Sequence, residues 1–190
     1  LKQLKKASDR DAESDRRERV KQSIAVLKAF AEKIIPDMAK AHSSYLSEYK
    51  SVEQQLLNNI NKGLSENQQQ TKLSSNPKMQ KIVRQAVDGK TGIGDIFNKL
   101  EQIAVYMNYD LVDYKLVYGP THKVFIKFYE AHSDFLDFIR SDEAPYANVT
   151  KLYTTWTNEQ KLEENQRQQA KLRDEEQHLL KERKVDSKER

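Results

Sequence analysis

The feature that most constrains this chain is one apolar ladder running from Val20 to Ile60. Its rungs are Val20, Ile24, Leu27, Ala31, Ile34, Met38, Ala41, Tyr45, Tyr49, Val52, Leu56 and Ile60. From Val20 to Tyr45 the steps alternate between four and three, as in a helix that lays one stripe along another helix. A stripe this long predicts a helix well beyond the usual three or four turns. Pro36 falls inside it. Proline removes a backbone hydrogen bond and crowds the preceding turn, yet the apolar register continues on both sides, with Ile34 and Met38 four apart. One kinked helix is therefore expected here, not two helices joined by a loop. The second consecutive four-step, from Tyr45 to Tyr49, predicts a local unwinding of any supercoil.

The rest of the chain points to the same class. Five Gly and four Pro in 190 residues leave long stretches uninterrupted, and period-two alternation bounded by turn residues is nearly absent. The fold class read from the sequence is all-α. Only 37% of residues are hydrophobic, 33% are charged and the mean hydropathy is −0.90. Such a chain cannot fill a thick core, so the expected architecture is an elongated antiparallel bundle of long, kinked helices with coiled-coil character.

The punctuation divides the chain into three parts. Residues 1–19 form a charged helical extension. Residues 20–156 form the bundle, with breaks expected near 61–76, 89–94, 119–120 and 141–148, where Gly, Pro, Ser, Asn and Asp collect. Pro77 suits the first turn of a short helix, and Asp95 and Thr121 are candidate caps for later ones. One helix is expected to carry Ile96, Leu100, Ile103, Met107, Leu111, Tyr114 and Tyr118 on its face and to stop at Gly119-Pro120. The next presents Phe125, Phe128, His132, Phe135 and Ile139, widened by Val124, Leu136 and Phe138. Residues 157–190 are dense in charge and hold no Gly or Pro, with Leu162, Leu172 and Leu179 as the main apolar points. They read as a projecting or loosely paired helix.

Several functions are disfavoured by the residues themselves. No cysteine is present, which removes disulfide scaffolds and thiolate metal sites. His42, His122, His132 and His178 do not converge, so no metal site and no cofactor is expected. Gly89-Lys90-Thr91 imitates the end of a phosphate loop, but Arg84 stands where that motif needs a glycine. No pair of carboxyls is set in an apolar context that would separate their acidities, and no catalytic residue is assigned. Asn148-Val149-Thr150 matches a glycosylation sequon that is read as idle. Aromatics at helical spacing read as core or interface, which makes nucleic acid an unfavoured partner. No apolar run approaches the roughly 18–20 residues that cross a bilayer. The opening LKQLKKASDRD is no signal peptide, and with Leu1 first the chain is expected to be an excised domain or a tail, cytoplasmic or peripheral on membranes or cytoskeleton.

The formal net charge is +4, and one segment accounts for it. Between 61 and 92, Lys62, Lys72, Lys78, Lys81, Arg84 and Lys90 stand against only Glu66 and Asp88. Lys72, Lys78, Lys81 and Arg84 are the candidate contacts for an anion or lipid headgroup. With the kinked segment IIPDMAKAHSSYLSEYKSVEQQLL, the later IGDIFNKLEQIA and the Pro-interrupted helices through 156, the chain resembles the BAR superfamily. That resemblance implies a dimer of long, kinked helices whose curved basic surface meets anionic phospholipid. The function expected is a non-enzymatic helical scaffold, paired as a homodimer or with another helical protein. The alternative is a coiled-coil adaptor or cytoskeletal scaffold without membrane contact. The ladder is the association seam, and Phe125, Phe128, Phe135 and Ile139 form a second apolar surface.

Overall fold

The computed structural model describes residues 2–62, 77–139 and 145–186, with side-chain surroundings for 10–62, 77–137, 139 and 145–178. Every described element is helical, and the chain is an all-α helical bundle. The helices are α1 (Lys2–Ala29), α2 (Ile35–Asn61), α3 (Pro77–Lys90), α4 (Ile93–Asn108), α5 (Tyr114–Ala131), α6 (Ser133–Ile139) and α7 (Ala147–Asp186). Two compact units are distinguished, Leu1–Tyr153 and Thr154–Arg190. Most of the segment expected to be a loop at 61–76, part of that at 141–148 and the candidate contact Lys72 lie outside the described residues.

Between α1 and α2 no loop intervenes. Phe30–Ile34 form a π-helical turn, closed by the Ile35 N–H donating to the Phe30 carbonyl five residues back. The wider turn sits immediately before Pro36, where an ordinary turn would press the ring against the carbonyl four residues behind it. A π turn inserts one residue, and the buried face records it. After the turn, Ile34, Met38 and Ala41 are buried as the ladder requires. Before it, the buried residues are Ser23, Val26 and Phe30, one position ahead of the expected Ile24, Leu27 and Ala31. Ile24 is 60% exposed and Ala31 faces solvent.

Cross-contacts give the course of the chain. Lys90 pairs with Glu48, Lys99 with Asp37, and the Asp113 N–H donates to Ser23 Oγ at 2.8 Å. As the numbers rise along α3 and α4 their partners fall along α2 and α1, so the two stretches are antiparallel. Helix α5 then runs back in the direction of α1 and α2, from the Ser23 contact to His132, whose ring stands 5.5 Å from Tyr45. Helix α7 begins against α4, where Glu101 accepts from the Asn148 N–H at 3.1 Å and the Val149 N–H at 2.8 Å. That borrowed carboxylate supplies the N-terminal cap and the negative charge that the helix start favours. Tyr146, at φ 66°, turns the chain into α7 and anchors it by donating to Asn98 Oδ1 at 2.8 Å.

Phe97 is the centre of the core. Its fully buried ring lies 5.3 Å from Phe128, 6.1 Å from Phe135 and 5.7 Å from Tyr146. Leu57, Val83 and Val87 form a second cluster under Tyr45, Tyr49, Val52, Leu56, Ile60 and Met79.

Two expected boundaries fall elsewhere. Gly119-Pro120 does not end a helix, because α5 passes through both residues. Proline clashes with the Cβ of the residue before it, and glycine has none, so this pair stays helical. Thr121 is therefore no cap; it is buried and its hydroxyl donates to the Val117 carbonyl at 2.6 Å. The real break spans 109–113. Asp110 takes φ 55°, the Tyr109 N–H bonds the Val105 carbonyl and the Leu111 N–H bonds the Tyr106 carbonyl at 3.0 Å. This is a Schellman cap with aspartate in the left-handed position. Asp113 then caps α5 by accepting from the Leu116 N–H. At the start of α4 the cap position is Gly92 at φ 76°, not Asp95, which lies in the first turn.

Candidate interaction surface

The ladder residues divide by environment. Ile34, Met38 and Ala41 are buried in the bundle of the first unit. Val20, Leu27, Tyr45, Tyr49, Val52, Leu56 and Ile60 are half-buried, the last five against the Val83 and Val87 cluster. The outer side of the same long helix carries Ile24, Ile35 and Leu46, exposed by 60%, 42% and 53%. They recur at eleven-residue intervals, about three turns apart along the one long helix.

The second expected surface is interior. Phe125, Phe128 and Phe135 are buried, and Ile139 is half-buried. Phe128 and Phe135 close on Phe97, and Phe125 packs against Tyr129, so the stripe is consumed by the fold of the first unit. Helix α5 ends at Ala131, and the chain restarts as α6.

The basic residues also have local partners. Arg84 Nε pairs with Asp134, while Lys81 Nζ stands 3.2 Å from Asp137 and 3.7 Å from Asp134. Gln85 adds a bond to the Asp134 carbonyl at 3.1 Å. Lys78 is exposed. The inward residues of α3 are Val83 and Val87, whereas Ile82 is 52% exposed. Lys81 and Asp137 are both so exposed that their pair adds little to stability, within about 1 kcal/mol. Phe135 and Leu136 hold α6 more firmly than its charges do.

Beneath this contact lies a buried polar group that the sequence did not signal. His132 Nδ1 donates to Asp88 Oδ1 at 2.7 Å, with side chains 7% and 1% exposed. The His132 ring also packs 4.7 Å from Phe128 and edge-on to Tyr45. Burial pushes the Tyr45 phenol up to about 12, and the nearby Asp88 carboxylate adds to the shift. Asp88 reads in the sequence as half of an Asp-Gly turn, yet it lies inside α3 and ties α3 to the junction of α5 and α6. His122 is likewise a packing residue, stacked 4.3 Å from Tyr118 with Nδ1 2.8 Å from the Tyr118 carbonyl. Among the described residues, no three His, Asp or Glu side chains are arranged to hold a metal ion.

Four exposed apolar groups gather at one place. Tyr106, Tyr109, Leu111 and Leu116 are exposed by 38%, 64%, 47% and 43%, all around the turn from α4 to α5. Tyr106 and Leu111 form one side of an open groove of about 540 Å³, whose other side is Asp15, Glu18, Arg19 and Gln22 of α1. The sequence placed Leu111 on a helix stripe, and its true position depends on the Asp110 turn. The signal available was Asn108-Tyr109-Asp110 followed by Asp113, side chains that favour turns and caps.

In the second unit, α7 is exposed at nearly every position from Lys161 to His178, including Leu162 at 57% and Leu172 at 64%. Among the described residues no helix is long and apolar enough to cross a membrane. With this geometry in view, the chain belongs to the family described as Domain of unknown function (DUF4760), which matches residues 5–156. No curated protein and no solved structure matches it.

Proposed function

We propose that this DUF4760-family domain is a non-enzymatic helical scaffold that pairs with a second copy of itself along the outer side of its long helix. The carrying observation is the exposed series Ile24, Ile35 and Leu46. Burying each of these on association would contribute roughly 1–2 kcal/mol, and the same surface in a second copy doubles the gain. The titratable groups serve as ties between helices: buried His132 to Asp88, half-exposed Lys99 to Asp37, and Glu101 to the start of α7.

Contact with anionic phospholipid is the less favoured reading. Lys81 and Arg84 would have to leave Asp134 and Asp137 to meet a headgroup. Light scattering over a concentration range tests the scaffold. A mass twice the 22.2 kDa chain is expected, falling to one chain in Ile35→Asp/Leu46→Asp with helicity kept. A wild type that stays monomeric at the highest concentration overturns pairing. Sedimentation with anionic vesicles at low salt, expected to leave the protein in solution, checks the lipid reading.

A further inference from the structure

We infer that the groove between α1 and the α4–α5 turn is a docking site for a basic amphipathic helix of another protein. The inference rests on the scaffold reading and names a partner that reading leaves open. The apolar floor is Tyr106 and Leu111, exposed by 38% and 47%. The Schellman bond from the Leu111 N–H to the Tyr106 carbonyl sets these side chains next to each other. The opposite wall is held in place as well. Buried Ser23 donates to the Arg19 carbonyl and accepts from the Asp113 N–H, both at 2.8 Å, which pins α1 to the turn. Such a floor binds without first being ordered.

The rim chooses the charge of the occupant. Asp15, Glu18 and Asp110 line the groove with the cation Arg19. Glu18 also accepts from Gln22 at 3.0 Å and stands 3.8 Å from exposed Lys21, a weak surface pair that a ligand cation can replace. The C-terminus of α4, ending at Asn108, directs its carbonyl ends to the same place and adds partial negative charge. The negative excess belongs to the groove lining itself, three carboxylates to one guanidinium. A helical ligand with Leu, Ile or Phe anchors for Tyr106 and Leu111, flanked by Lys or Arg for the carboxylates, satisfies both features. A second copy is a poorer fit, because the outer series Ile24, Ile35 and Leu46 already provides the self-pairing surface.

The test uses the full chain and two labelled helical peptides, one of alternating Leu and Lys faces and its Leu and Glu counterpart, followed by fluorescence anisotropy. Saturable binding of the Leu/Lys peptide is expected, with none of the Leu/Glu peptide. Leu111→Ala should weaken it at least tenfold, as should Asp15→Lys/Glu18→Lys, and all variants should keep wild-type helicity. Binding should also fall as salt rises. Equal affinity in both variants and the wild type would place the peptide elsewhere and overturn the site; no binding by the wild type would overturn it too. Light scattering on the same samples separates the two readings: a dimer that ignores the peptide removes the partner and leaves the scaffold, whereas a monomer that binds it removes self-pairing and leaves the groove.

Discussion

Replacing His132 with Phe removes the Nδ1–H that Asp88 accepts at 2.7 Å, and the cost follows from burial. The Asp88 side chain is 1% exposed, so the orphaned carboxylate cannot rehydrate. Breaking a buried pair from one side costs about 3–5 kcal/mol. Against a total stability of roughly 5–15 kcal/mol, that is a large share. For a chain of this size it corresponds to a fall in Tm of roughly 6–20 °C. Asp88→Leu is milder, because it leaves one imidazole N–H lacking a partner, worth about 1–3 kcal/mol. The double variant Asp88→Leu/His132→Phe should lie within about 1–2 kcal/mol of wild type, since an apolar pair of similar volume often replaces a buried polar pair without loss. Urea unfolding with a constant m-value reads all three. The expected signature is a coupling of at least about 2 kcal/mol between the two positions. If the single losses simply add in the double variant, the pair is not a coupled buried contact and the reasoning fails.

Four further outcomes are expected. Phe97→Ala, which empties the space between Phe128, Phe135 and Tyr146, should cost about 3–5 kcal/mol in urea unfolding, the most of any aromatic truncation in the first unit. Glu101→Ala removes the cap on α7 and should cost about 1–2 kcal/mol, with faster hydrogen exchange at Asn148 and Val149. Tyr45 titrates near 12 when folded and near 10 when unfolded, so its contribution is complete below pH 10 and is lost as pH rises toward 12; Tyr45→Phe should flatten that part of the stability profile. Deleting Glu32 removes the extra residue of the π turn, so Ser23, Val26 and Phe30 should fall into even α-helical register with Ile34, Met38 and Ala41 and stay buried. The Tm lost to the clash at Pro36 should return on adding Pro36→Ala.

The all-α class and the course of the ladder after Pro36 were written in the sequence, because both depend on local periodicity. Ile34, Met38 and Ala41 repeat at helical spacing, and the residues that bury them need no special backbone. What depends on a single inserted residue was not legible. The π turn at Phe30–Ile34 shifts the buried face of α1 onto Ser23, Val26 and Phe30, and periodicity alone counts α-helical turns only. Gly119-Pro120 has the composition of a stop, yet glycine before proline relieves the clash that would make it one, and packing of Val117, Thr121 and Phe125 keeps the helix whole. The positive backbone angle at Asp110 set the break, and with it the exposure of Tyr106 and Leu111. Charge told a similar story. Lys81 and Arg84 look available in the chain, but the fold brings Asp134 and Asp137 to them from some fifty residues away, and proximity of that kind belongs to tertiary structure. The sequence by itself determined which stretches become helices; only the packed structure decided which face of each turns inward, because that choice is made by partners distant in the chain.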